Sequence, residues 1–125
     1  SGRAAGGGFY DYPAGEAKRL WAGLSKFEKP GVAVDFEELK QRFLYRQSIE
    51  TARCLAEGVL TSVHEANIGS IFGIGFPAWT GGALQFVASE GLENYLRRAD
   101  ALAERHGERF AISGAVRDAL RRAFA

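Results

Sequence analysis

The chain contains no methionine and only one cysteine in 125 residues. Cys54 alone cannot form a disulfide within the chain, which fits a reducing compartment. The two histidines, His64 and His106, show no zinc-ligand spacing, so we expect surface histidines and no metal site. Because an intact gene product starts with methionine, we expect a fragment of a longer polypeptide, with Ser1-Gly2 as a cloning remnant.

Long apolar runs and a strong net charge are also missing. No stretch reaches the roughly 18 apolar residues of a membrane-spanning helix, and no signal peptide is recognisable, so we predict a soluble, cytoplasmic protein. Sixteen basic and fifteen acidic residues give a net charge of +1. This balance produces no field that would attract nucleic acid, and we expect no nucleic-acid partner.

The periodicity of the apolar residues predicts the fold class. No segment alternates apolar and polar residues as a half-buried strand does, whereas several segments have helical spacing. We predict an all-α protein, a single compact helical domain of about five helices. Residues 1–13 are predicted to be a glycine-rich leading segment, and residues 14–125 the helical domain.

Capping residues predict where the helices begin and end. Asp35, with Glu38 as its capping-box partner, begins a helix that ends at Gly58. Ser62 and Glu65 repeat the box at the start of a second helix, predicted to end at Gly73. A short third helix follows residue 82, a fourth ends at Gly107, and a serine at position 113 caps the last one.

The end of the second helix and the connection to the third lie in "IGSIFGIGFPAWTGG", residues 68–82. It contains a G-x-G-x-x-A pattern, but a dinucleotide site needs a strand before the glycines, and here a helix precedes them. We therefore predict a structural corner whose close backbone approach serves either helix packing or a ligand. Its candidate residues are Gly73 as helix terminator, Gly75 as a flexible backbone position, Phe76 and Trp79 as buried anchors, Pro77 as the exit, and Gly81 and Gly82 as points of close approach.

Three motifs carry a resemblance to a known family. "GGGFYDYP" (residues 6–13), "ETARCLAEGVL" (50–60) and "IFGIGFPAWTGGAL" (71–84) occur in this order. The chain resembles, from about Gly6 to Gly107, the C-terminal helical domain of 3-hydroxyacyl-CoA dehydrogenases, as found in the multifunctional α subunit of bacterial fatty-acid β-oxidation complexes. The most specific part is "GFPAWTGG".

The resemblance implies a parent enzyme with an NAD-binding domain, two related helical domains and, in multifunctional members, an enoyl-CoA hydratase domain. Catalysis there uses a histidine-glutamate pair on the dinucleotide domain, which this chain lacks. The first helical repeat contributes an active-site asparagine, but the matching stretch here begins with Gln41-Arg42-Phe43. This departure, and Ala78-Trp79 where the first repeat has a Gly-Pro pair, imply the second, non-catalytic repeat.

Three hypotheses for function follow. The leading one is a structural and subunit-contact domain of an NAD-dependent 3-hydroxyacyl-CoA dehydrogenase, inactive when isolated, with no catalytic, cofactor or metal residues of its own. Its partners would be the dinucleotide-binding and first helical domains of the parent chain, in an oligomeric enzyme. The alternatives are an acyl-CoA-binding module that uses the glycine-rich corner, and a stand-alone helical interaction domain.

Overall fold

The computed structural model describes residues 2–125. Its backbone groups into two compact units, one that runs up to Val34 and one that spans Asp35–Ala125. The smaller unit contains an antiparallel ribbon of two short strands, β1 (Tyr10–Asp11) and β2 (Arg19–Leu20). Short 3-10 helices lie at Arg3–Ala5 and Ala22–Phe27. The predicted boundary at residue 13 falls in the connection between the two strands.

The larger unit is made of five α-helices, and the all-α prediction is confirmed. In chain order they are α1 (Phe36–Ala56), α2 (Val63–Ile74), α3 (Ala83–Glu90), α4 (Leu92–His106) and α5 (Gly114–Ala123). One-turn 3-10 helices at Ala78–Thr80 and Glu108–Phe110 connect α2 to α3 and α4 to α5. No helix among residues 2–125 is long and apolar enough to cross a membrane.

The predicted helix starts are found at the predicted residues. The Asp35 carboxylate accepts hydrogen bonds from the Glu37 and Glu38 amides, and Ser62 accepts one from the Glu65 amide. Ser113 caps α5 in the same way. Each of these side chains binds an amide that has no partner within its helix, which stabilises the first turn.

The two predicted capping boxes close differently from expectation. The Glu65 carboxylate accepts hydrogen bonds from the backbone N–H and the hydroxyl of Thr61, one residue before the cap. The carboxylate of Glu38 instead binds Arg105 and His106 at the end of α4. A tertiary ion pair has therefore replaced the local bond at the start of α1.

The centre of the core is formed by aromatic side chains from three helices. The Tyr45 and Tyr95 rings stack with centroids 4.7 Å apart, and the Phe86 ring lies nearly perpendicular to both, with centroid distances of 5.6 and 6.3 Å. Aliphatic side chains complete this core, notably Ile49, Leu84, Leu96 and Leu120. Helix α1 lies in the middle, since it packs against α2, α3 and α5.

Two phenylalanines of α1 are exposed. Phe36 is 73% and Phe43 64% accessible, whereas Leu44 and Tyr45 beside Phe43 are buried. The apolar residues of α1 could place either Phe43 or Tyr45 in the core. Stacking on Tyr95 places Tyr45 there, which shifts the buried face of the helix away from Phe43. The shift leaves Phe43 on the outer face of α1.

Candidate functional site

The glycine-rich corner begins two residues later than predicted. Helix α2 continues through Gly73 to Ile74, and Gly75 is its cap, in the left-handed conformation with φ of 70°. The amides of Gly75 and Phe76 both donate to the carbonyl of Ser70. The left-handed residue is needed where the chain leaves the helix, so Gly75 has the role predicted for Gly73.

Phe76 and Trp79, predicted as a pair of buried anchors, have opposite environments. Phe76 is 1% exposed, and its ring lies 6.1 Å from that of Phe86. Trp79 is 78% exposed, so the prediction that it is buried is wrong. Trp79 lies in the one-turn helix Ala78–Thr80, which has no buried residue. The Thr80 hydroxyl stabilises this turn, because it accepts a hydrogen bond from the Gly82 amide and donates one to the Pro77 carbonyl at 2.7 Å. The anchoring is therefore done by Phe76 and this turn.

The start of α3 is capped by side chains from α2. The Asn67 side-chain oxygen accepts hydrogen bonds from the amides of Leu84 at 2.9 Å and Gln85 at 2.8 Å. The Ser70 hydroxyl accepts from the Ala83 amide at 3.0 Å and donates to the carbonyl of Asn67 at 2.9 Å. Three amides that a helix start normally leaves without partners are thus all satisfied from a neighbouring helix.

This arrangement bears directly on the acyl-CoA alternative. A helix start binds phosphate through its free N–H groups. Here those of Ala83, Leu84 and Gln85 already donate to Asn67 and Ser70. A phosphate would have to displace both side chains. The geometry therefore favours a structural function for the corner.

At Gly82 the start of α3 closely approaches α2. Gly82 has φ of 118°, and a Cβ built on it would lie 2.5 Å from the Asn67 Cα. At Gly81, with φ of 80°, a Cβ would meet only the flexible Gln85 side chain, at 2.9 Å. Close approach is therefore required at Gly82, and it serves helix packing.

Sequence reasoning missed Asn67 and Ser70. Asparagine has a modest helix propensity and commonly caps helices, so its position inside α2 was a detectable signal. The pattern did not reveal which helix it would cap, because Asn67 and Leu84 are far apart in sequence. Contacts of this kind depend on the crossing of α2 and α3.

A second polar cluster lies inside the core. The Ser48 and Tyr95 hydroxyls are 2.7 Å apart, and the Tyr45 hydroxyl donates to Glu90, which also binds Arg98 at 2.6 Å. Burial, reinforced by the Glu90 carboxylate, raises the pKa of the Tyr45 phenol above its usual value. Burial likewise raises the pKa of Tyr95. Both phenols stay protonated at neutral pH and act as hydrogen-bonding members of the core.

The C-terminal end of α4 is tied to the start of α1. The Glu38 carboxylate contacts the His106 Nε2 at 2.5 Å and the Arg105 guanidinium at 2.8 Å. His106 is half-buried, whereas the sequence predicted a surface histidine; His64 is exposed as expected. Among residues 2–125 no group of three or more histidine, cysteine, aspartate or glutamate side chains is placed to hold a metal ion.

The largest unexplained feature is apolar surface on and around α2. Only Ala66 and Ser70 of this helix are buried, while Phe72 is 86% exposed. Further exposed apolar side chains lie on α2 and the loops that flank it. Together with Phe72 they form what we call the α2 apolar surface, and they are Val59, Ile68, Ile74 and Trp79. A largely apolar groove of about 560 Å³ between α1 and α2, lined in part by Val59, Cys54 and Ile74, adjoins it. Helices that are apolar on all sides are typically covered on all sides.

Comparison with known proteins shows that this chain is similar to one segment of larger proteins. No family model matches the chain. The fatty acid oxidation complex subunit alpha of Vibrio cholerae is 35% identical over 112 residues, which are 88% of this chain and 16% of that subunit. The chain is homologous to one part of these α subunits. The subunit of the same name from Vibrio vulnificus is 34% identical over 88% of the chain, and one from a Shewanella strain 33% identical over 87%.

The match covers only a small part of each relative. The chain spans about one sixth, 16%, of the length of the curated α subunits it matches. The resemblance inferred from the three motifs is thereby confirmed, and the size of the match is consistent with a C-terminal domain. In these α subunits most of the polypeptide lies outside the matched segment.

Proposed function

We propose that this chain is a non-catalytic contact domain of a multifunctional fatty-acid β-oxidation enzyme. Its parent would oxidise 3-hydroxyacyl-CoA with NAD on a separate dinucleotide-binding domain and would also carry enoyl-CoA hydratase. The domain would hold the helical part of that enzyme together. The homology to fatty acid oxidation complex α subunits supports the pathway.

The α2 apolar surface is the observation that carries the proposed contact role. Monomeric soluble proteins rarely leave large apolar side chains clustered in water, and larger patches mark interaction sites. Phe72 and Ile68 lie one turn apart on the same face of α2, and Trp79 follows in the corner. We infer that another domain of the parent chain, or a second subunit, covers them.

The polar residues support the non-catalytic part of the proposal. Tyr45, Ser48 and Tyr95 form hydrogen bonds within the core, and Asn67 and Ser70 cap α3. These groups hold the helices together. Among residues 2–125 the histidine-carboxylate pair of His106 with Glu38, together with Arg105, joins the ends of α4 and α1.

A turnover assay tests the non-catalytic assignment. The purified chain is mixed with a 3-hydroxyacyl-CoA and NAD, and NADH formation is followed by absorbance. We expect no turnover above the rate without protein. Turnover that scales with the concentration of the chain would refute the assignment.

A chimeric α subunit tests the contact role. The chain replaces its matching segment in the Vibrio cholerae α subunit, and Phe72→Ser is compared with Phe36→Ser, since both rings are exposed on helices. We expect Phe72→Ser to lower the thermal stability and the dehydrogenase activity of the chimera while leaving the isolated chain as stable as before. Equal effects of the two substitutions would contradict the role of α2.

A further inference from the structure

Three arginines line a small depression on the face of the domain formed by α1 and the turn after α4. Arg42 and Arg46 lie one turn apart on α1, and Arg109 comes from the one-turn helix Glu108–Phe110. The depression has a volume of about 140 Å³. None of the residues that line it belongs to the glycine-rich corner, so the two are separate features of the domain.

The charges of this depression are not balanced by the protein itself. Among residues 2–125 neither Arg42 nor Arg109 has a carboxylate within salt-bridge distance, while Arg46 is held by Glu50 at 3.1 Å. By contrast, Arg98, Arg105 and Arg117 each have a carboxylate partner. Guanidinium groups that share a depression repel one another, and an anion placed between them would relieve that repulsion.

Arg42 also has a buried donor with no acceptor. Its Nε lies out of contact with solvent and makes no hydrogen bond among the described residues. Buried donors in folded proteins are nearly always satisfied, and here no described protein group accepts from the guanidinium at this atom. Because a guanidinium presents its donors as a flat fork, the partner that fits best is a phosphate or carboxylate group.

The remaining lining adds an apolar wall. Leu39 and the buried Phe110 belong to it, and the Phe43 ring is 64% exposed at the same site. Leu39, Arg42, Phe43 and Arg46 all lie on one face of α1, as the spacing of three and four residues requires. An exposed ring beside unpaired arginines is suited to a ligand that joins an anionic group to a flat base, since bases stack on aromatic side chains.

We propose that Arg42, Arg109 and Phe43 form a nucleotide-binding site. The two arginines bind a phosphate group of the nucleotide, and the phenyl ring stacks on its base. Arg46 adds positive charge to the site while remaining paired with Glu50. The proposal is independent of the contact role of α2.

Isothermal titration of the chain with ADP tests the site. We expect saturable binding that weakens as salt is added, because phosphate contacts are ionic. Arg42→Gln and Arg109→Gln should each weaken the affinity by about tenfold, the loss expected for a charged hydrogen bond. Arg122→Gln is the matched control, because this exposed arginine of α5 also has no carboxylate partner among residues 2–125 and does not line the depression. Circular dichroism verifies that each variant is folded.

Two further titrations separate the parts of the ligand. Pyrophosphate should bind more weakly than ADP and should be insensitive to Phe43→Ser, whereas ADP should lose affinity in this variant. Lack of ADP binding, or ADP binding that Arg42→Gln and Arg109→Gln leave unchanged, would overturn the proposal. Equal affinity for ADP and pyrophosphate would also overturn it. Binding of a polyglutamate peptide in place of ADP would overturn it as well, because it would assign the arginines to a protein partner.

Discussion

Replacement of Asn67 by alanine should destabilise the domain, because its side-chain oxygen alone satisfies the amides of Leu84 and Gln85. Loss of a helix cap typically costs about 1 kcal/mol. The Leu84 amide adds to this cost, since its residue is buried and a buried donor without a partner costs roughly 1–3 kcal/mol. We therefore expect the free energy of unfolding to fall by about 2 kcal/mol.

Two control variants isolate the cap from other effects. Asn67→Asp keeps an acceptor at the same place and adds a negative charge at a helix start, so it should retain most of the stability. Asn94→Ala removes an asparagine whose side chain binds, within the described part of the chain, the Glu90 carbonyl and Arg97 and no other group, and it should cost less. Urea unfolding followed by far-ultraviolet circular dichroism measures all three. A loss below about 0.5 kcal/mol for Asn67→Ala, the usual range of a neutral surface substitution, would refute the reasoning.

Further predictions concern packing, exposure and pH. Gly82→Ala should destabilise the domain by more than about 2 kcal/mol, because the new Cβ would meet the Asn67 backbone and the residue has a positive φ. Gly69→Ala inside α2 has open space around it and should be neutral or stabilising. Thermal unfolding compares the two variants. Trp79→Ala should change the unfolding free energy by less than about 1 kcal/mol, and a loss near the roughly 3–5 kcal/mol of a buried ring would contradict its exposure. The folded-state pKa values of Tyr45 and Tyr95 are raised. The two tyrosines therefore contribute fully to the free energy of unfolding below the unfolded-state pKa of about 10. Above that pH this contribution is lost, by up to about 1.4 kcal/mol per pH unit for each tyrosine. Urea titrations between neutral pH and pH 11 should show this decline, with Tyr95→Phe reducing its slope; an unchanged slope would contradict the assignment.

Local signals predicted the helices well. Asp35, Ser62 and Ser113 cap the helices that they were predicted to cap, and Gly107 follows the last residue of α4. A cap depends on neighbouring residues alone, so the sequence contains all the information needed. The end of α2 was misplaced by two residues because Gly73 and Gly75 are equivalent in pattern and only the fold selects the left-handed one.

Burial of the aromatic side chains was less predictable. Phe76 and Trp79 are both large and apolar, and only the direction of the turn between them decides which enters the core. The same is true of Phe43 and Tyr45 on α1, of which the tyrosine was selected by stacking on Tyr95. Such choices depend on the three-dimensional arrangement of several helices.

The glycine-rich corner was only partly described by the sequence. The corner was recognised from its glycines, and Gly82 does approach a neighbouring helix closely. The residues that satisfy its amides, Asn67 and Ser70, come from α2 and were not identified. The exposed surface on α2 was invisible to periodicity, because a helix with apolar residues on all sides gives no indication of which side meets a partner.

Hydroxyl-radical footprinting of Phe72 and Trp79 tests the central claim most directly. Oxidation of the two side chains is measured by mass spectrometry in the isolated chain and in the chimeric Vibrio cholerae α subunit, with the buried Tyr45 as the internal reference. The account predicts rapid oxidation of both residues in the isolated chain and strong protection in the chimera. Equal oxidation in the two proteins would show that the surface stays open to water, and would contradict a contact role for α2.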